Sequence, residues 1–159
     1  MASYNDQLLE IVENYRKAGN EWPATKRQIA RWAMQNNLWQ PHPSAMLDQF
    51  ARELGRAMRE EFFIDPQGRS VRAKHVARIK PESGKQESLW GDMRDRSKPF
   101  IEVALQQRRQ QIVGDCSQLK VDMDSFNQNY NDDNEPIELE FDFTRDVEEL
   151  ELQNLAKLN

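Results

Sequence analysis

The chain has 159 residues with 22 Lys+Arg against 27 Asp+Glu, a formal net charge of −5, but the charge is sorted by position: residues 26–113 hold 17 bases and 10 acids, and residues 114–159 hold 3 and 13. Hydrophobic residues make up 38%, enough for one moderate core of roughly 100 residues plus appendages, and no window approaches the roughly 20 apolar residues of a membrane span. The single Cys116 excludes an intramolecular disulfide and a thiolate metal cluster, so the expectation is a soluble cytoplasmic protein with no cofactor, metal or membrane contact.

Leu8, Val12 and Tyr15 recur at helical spacing, with Leu9 and Ile11 beside them, and Gly19 stands where a C-cap belongs, which predicts a helix near 4–18. Thr25 and Gln28 form a capping box ahead of Ile29, Ala30 and Ala33, predicting a second helix over about 26–36. Pro41 and Pro43 stop it and make the next segment a turn. Ser44 is the expected N-cap of a third helix reaching Glu61. Its apolar stripe of Leu47, Phe50, Ala51, Leu54 and Met58 is expected to enter a core, with Arg52, Arg56 and Arg59 on the opposite side.

Phe62-Phe63-Ile64, the turn Asp65-Pro66-Gln67-Gly68 and the alternating run to Lys80 predict a hairpin over 62–80. Val71, Ala73, Ala77 and Ile79 share one parity, and Arg72, Lys74, Arg78 and Lys80 the other, with His75 and Val76 as the exceptions, giving a basic outer face. Residues 81–98, with Pro81, Ser83, Gly84 and Gly91, read as a linker. From Pro99 to Tyr130 runs a long helix, or a pair split at Gly114. Leu105, Arg109, Ile112, Cys116, Leu119, Met123, Phe126 and Tyr130 form a heptad-like seam in it, suited to a homodimer or to packing within the chain. The acidic tail, 131–159, carries a strand pattern at 137–143 and a short helix capped by Thr144.

The expected fold class is therefore mainly α with a small β-hairpin: a winged helix-turn-helix at 1–80, a linker at 81–98, the long helix at 99–130 and the acidic tail. Such a basic helix and hairpin suit double-stranded DNA. The residues expected at DNA are Lys26, Arg27, Ser44, Gln49, Arg52, Arg56, Arg59, Arg69, Arg72, Lys74, Arg78 and Lys80. Those expected in a dimer seam are Leu105, Ile112, Cys116, Leu119, Met123 and Phe126.

Residues 8–30 resemble the opening of the DNA-binding domain of LexA-type repressors, in Leu8, Val12, Tyr15, Gly19, Pro23, Thr25 and Ile29-Ala30. The resemblance covers at most residues 4–80 and implies a compact winged helix with its third helix in the major groove. The longer turn before Ser44, the lack of a Gly before the hairpin and the absence of any peptidase-like sequence after Lys80 depart from that family, so neither a target sequence nor self-cleavage is carried over.

No catalytic constellation assembles from His42, His75 and Cys116. The oxygen-rich stretch from Asp122 to Glu135 lacks the central Gly and spacing of a calcium loop and reads as a solvated acidic segment. Trp22, Trp32 and Trp39 read as packing between helices rather than as a base-stacking platform. The functional expectation is a non-enzymatic transcriptional or accessory regulator of bacterial, phage or mobile-element origin. The alternative is a protein-interaction adaptor acting through residues 131–159, whose alternating segment could join an exposed sheet edge.

Overall fold

The computed structural model describes residues 1–42, 44–80, 82 and 84–158. The expectations placed on Pro43, Pro81 and Ser83 lie outside these residues. The described chain is mainly helical, with two small antiparallel ribbons, and divides into two compact units, Met1–Arg52 and Glu53–Asn159.

The first unit is built on helices α1 (Tyr4–Lys17) and α2 (Lys26–Gln35). Each begins with a reciprocal capping box, Ser3 with Asp6 and Thr25 with Gln28, so two orphan amides of each first turn are satisfied by side chains. Gly19, at φ 79°, follows the α1 C-cap, where a side chain would be strained. The expected faces meet: Tyr15 is buried and its ring meets Trp32 edge-on at 5.5 Å. The Tyr15 hydroxyl donates to the Glu21 carbonyl at 3.2 Å, tying the connection between the helices to their packed face.

Helix α3 (Ala45–Glu60) runs from the first unit into the second. Its apolar stripe does not enter a core as expected: Leu47, Phe50, Ala51 and Leu54 are exposed, and only Met58 is half-buried. The reason lies at its other end. Gly55 is its buried residue, and the Trp90 ring lies 3.7 Å from where a Cβ would stand, so the helix is anchored by its glycine face.

In the second unit, β1 (Phe62–Ile64) pairs with β2 (Ser70–Arg72) across the expected Asp65–Gly68 turn, with Gly68 at φ 84°. The hairpin does not continue to Lys80. Strand β3 (Lys74–Ile79) pairs instead with β4 (Glu87–Asp92), inside the segment expected to be a linker. Ala73 is the pivot: its amide donates to the Glu61 carbonyl and its carbonyl accepts from the Met93 amide, so one extended run serves two ribbons. The inward parity holds for Ala73 and Ala77, and His75, expected as an exception, is buried with them. His75 Nε2 lies 3.0 Å from the Arg72 carbonyl, so this buried ring is satisfied locally.

Four charges close the junction of the ribbons. Lys74 Nζ donates to Glu61 at 2.8 Å and Asp92 at 2.9 Å, and Arg94 Nη2 donates to the same two carboxylates at 3.2 and 2.7 Å. The Arg94 and Lys74 donors hold the Asp92 carboxyl far below the usual range, and Lys74 does the same, less strongly, for Glu61.

A 3₁₀ turn, Met93–Asp95, leads into α4 (Lys98–Asn129), a single helix that Gly114 does not split. Its start packs on β4, where Phe100 occupies the space over Gly91. Further along, the Gln107 side-chain amide accepts from the Arg78 amide at 2.7 Å and donates to the Arg78 carbonyl at 2.8 Å. The strand expected at 137–143 does not form. Alternation supplies the faces of a strand but not a neighbour. Asn127 takes the Ile137 backbone instead, at 2.9 and 2.8 Å. The last helix, α5 (Thr144–Ala156), forms as expected, but its N-cap is Phe143, without a side-chain cap, and not Thr144, whose amide donates to the Asp142 carboxylate at 3.1 Å.

Candidate nucleic-acid interface

Within the second unit, α3, β3, β4 and α4 enclose a cleft of about 740 Å³. Its basic lining comes from four elements: Arg59 from α3, Arg72 from the end of β2, Lys74 and Arg78 from β3, and Arg108 from α4. Strand alternation places Arg72, Lys74 and Arg78 on one parity, opposite the buried Ala73, His75 and Ala77. Asp115 is the single acid in the lining.

The five basic residues are held differently. Lys74 is bridged to Glu61 and Asp92, so its charge is largely neutralised. Arg59 lies over the Trp90 ring at 5.4 Å and Arg72 over Phe62 at 5.8 Å, contacts that position a guanidinium without cancelling its charge. Among the described residues, no carboxylate forms an ion pair with Arg59, Arg72, Arg78 or Arg108. Arg108 is pushed below the usual guanidinium range, first by burial and then by the like charge of Arg72. Two arginines that repel each other across a concave, partly desolvated surface are relieved by an anion, and a phosphate oxygen matches their donor geometry.

The cleft thus unites four of the twelve residues expected at DNA, Arg59, Arg72, Lys74 and Arg78. The other eight are outside its lining. Lys26 and Arg27 are exposed in the first turn of α2, and Gln49, Arg52 and Arg56 are exposed on α3. Ser44 precedes α3 with its hydroxyl 2.9 Å from His42 Nδ1. Arg69 is paired with Asp65 at 2.8 Å, and Lys80 is exposed beyond β3. Sequence reasoning missed Arg108, Trp90 and Gln107. Arg108 adjoins the heptad pattern and carried no signal of its own. Trp90 was legible only as a large aromatic in a segment too poor in alternation to be read as a strand.

The seam of α4 stays open: Leu105, Ile112, Leu119 and Phe126 are exposed, and Cys116 and Met123 half-buried. No described helix is long and apolar enough to cross a membrane. No protein-family model, curated protein or solved structure matches the chain.

Proposed function

We propose that this chain is a non-enzymatic DNA-binding protein, a transcriptional or accessory regulator, in which the cleft grips backbone phosphates and the exposed arginines of α3 approach the major groove. The observation that carries the reading is that Arg59, Arg72, Arg78 and Arg108 line one cleft and none of them is in an ion pair among the described residues. A structural role would have supplied a counter-charge, as it does for Lys74 two residues from Arg72. The order α1, α2, α3 and a β-ribbon is that of a winged helix-turn-helix. Arg52, Arg56 and Arg59 are all exposed on α3, the element expected in the groove.

Fluorescence anisotropy with a labelled duplex tests it. Binding should weaken steeply between roughly 50 and 200 mM salt. Arg72→Ala with Arg108→Ala should weaken it at least tenfold and flatten the salt slope by about two phosphate contacts. Binding indifferent to both salt and the double substitution refutes the reading.

A second reading, an adaptor acting through its acidic end, draws on the exposure of Ile137, Leu139 and Phe143 in a segment without a strand neighbour among the described residues. It requires a stoichiometric protein partner that is lost on truncation after Asn131, together with no affinity for DNA.

A further inference from the structure

The unpartnered face of α4 has a heptad geometry. Leu105, Ile112, Leu119 and Phe126 recur every seven residues and are 45%, 53%, 45% and 42% exposed, with Cys116 and Met123 interleaved. A seven-residue apolar repeat over more than three heptads wants a second helix, because each projecting side chain must fill a hole between four residues of its neighbour. Such a hole is present. A shallow depression of about 390 Å³ is lined by Leu105, Arg108, Arg109, Ile112 and Val113. The first four have the i, i+3, i+4, i+7 spacing of a coiled-coil hole.

We infer that the occupant is α4 of a second copy of this chain, running antiparallel. Charge decides both the occupant and its direction. The half of α4 before Gly114 carries Lys98, Glu102, Arg108 and Arg109, and the half after it carries Asp115, Lys120, Asp122 and Asp124. A basic half followed by an acidic half is complementary to itself only when reversed. In a parallel pair, the side chain entering the hole would be Arg109 of the second copy, brought against Arg108 and Arg109, which stacks four guanidinium groups around one layer.

Reversal about residue 114 overlaps the helices along nearly their whole length. It delivers Leu119 of the second copy into the hole and sets its Asp122 beside the Arg108–Arg109 pair. Leu105 then faces Met123, and Ile112 faces Cys116. Asp115 meets its own copy at the two-fold axis, one like-charge contact against the two acid–base clusters gained by symmetry.

The inference does not rest on the DNA reading, although Arg108 and Ile112 line both the cleft and the seam, and sedimentation of the full chain without DNA tests it. The expected species is a dimer at micromolar concentration. Leu119→Glu should raise its dissociation constant at least tenfold. Arg109→Glu and Asp122→Arg should each weaken it, and the two together should restore it, a rescue that misfolding cannot mimic.

Direction is read from disulfide trapping in a Cys116→Ala background. Leu105→Cys and Met123→Cys proteins should cross-link to each other when mixed and not when oxidised separately. A monomeric full chain, whether the seam is then covered by the chain's own tail or by another protein, overturns the inference. So does a higher oligomer, or cross-linking of each single-cysteine protein with itself.

Discussion

Two basic clusters each take one member, Lys74 and Arg72, from the same extended run, and they are built on opposite principles. At the ribbon junction, Lys74 and Arg94 share Glu61 and Asp92, with every separation at or below 3.2 Å. In the cleft, Arg72 and Arg108 line one surface with neither in an ion pair among the described residues, and burial, then the like charge of Arg72, weakens the hold of Arg108 on its proton. The same residue types are therefore held differently: the first cluster is neutralised inside the fold, and the second has no ion pair among the described residues. Composition alone cannot separate them, because what distinguishes them is the carboxylate each did or did not receive.

The sharpest way to break this comparison is to remove each cluster and read both DNA affinity and stability. Arg72→Ala with Arg108→Ala should cost at least tenfold in affinity while leaving the thermal midpoint unchanged or raised, since a repulsion is deleted. Gly91→Ala attacks the cleft from beneath, because a Cβ there would stand 2.7 Å from the Phe100 ring. It should destabilise the second unit by about 1–3 kcal/mol and weaken DNA binding as the start of α4 shifts off β4, measured by denaturant titration and anisotropy together.

Asp92→Asn should do the reverse of the arginine pair, lowering the thermal midpoint by a few degrees with DNA affinity intact. Acid provides a second handle on the same cluster. Asp92 and Glu61 titrate below their ordinary values of 3.8 and 4.5, held down chiefly by Arg94 and Lys74 respectively. A carboxylate whose folded pKa is depressed stabilises the fold above its unfolded pKa and loses that contribution as pH falls toward the folded one. The midpoint should thus be flat above about pH 5 and fall on acidification below it, less steeply in Asp92→Asn; an equal slope in both proteins would show that the junction contributes nothing. The smallest effect is expected at Gly114→Ala, where a Cβ meets open space. It should add about 1 kcal/mol with neither cluster disturbed.

Local chemistry explains which elements were legible in the sequence. The capping box at Thr25, the Asp65–Gly68 turn and the Ala73/Ala77 parity are decided by residues close in sequence, and these expectations hold, whereas the capping box at Ser3 was not anticipated and His75, expected as an exception to the parity, is buried with it. The failures are all pairings at a distance. Strand β4 was hidden because Gly91 and Ser88 dilute its pattern, and what makes it a strand is β3 beside it. Residues 137–143 show the converse: a clean alternation with no neighbour to complete it, so Asn127 takes the backbone groups of Ile137 instead. The α3 stripe was misread because amphipathicity reveals a face without revealing what covers it, and the contact that holds the helix is made by a glycine. Half of the cleft was legible from the basic parity of β3; the half contributed by α4 was not, since an arginine beside a heptad seam looks like any solvated charge.

The two bonds from Gln107 to Arg78 do more than fasten a helix. They occupy the backbone donor and acceptor of Arg78, so at that residue a foreign strand would meet a side chain where it needs backbone. At that position α4 supplies, from within the chain, the partner that a sheet edge otherwise seeks outside it.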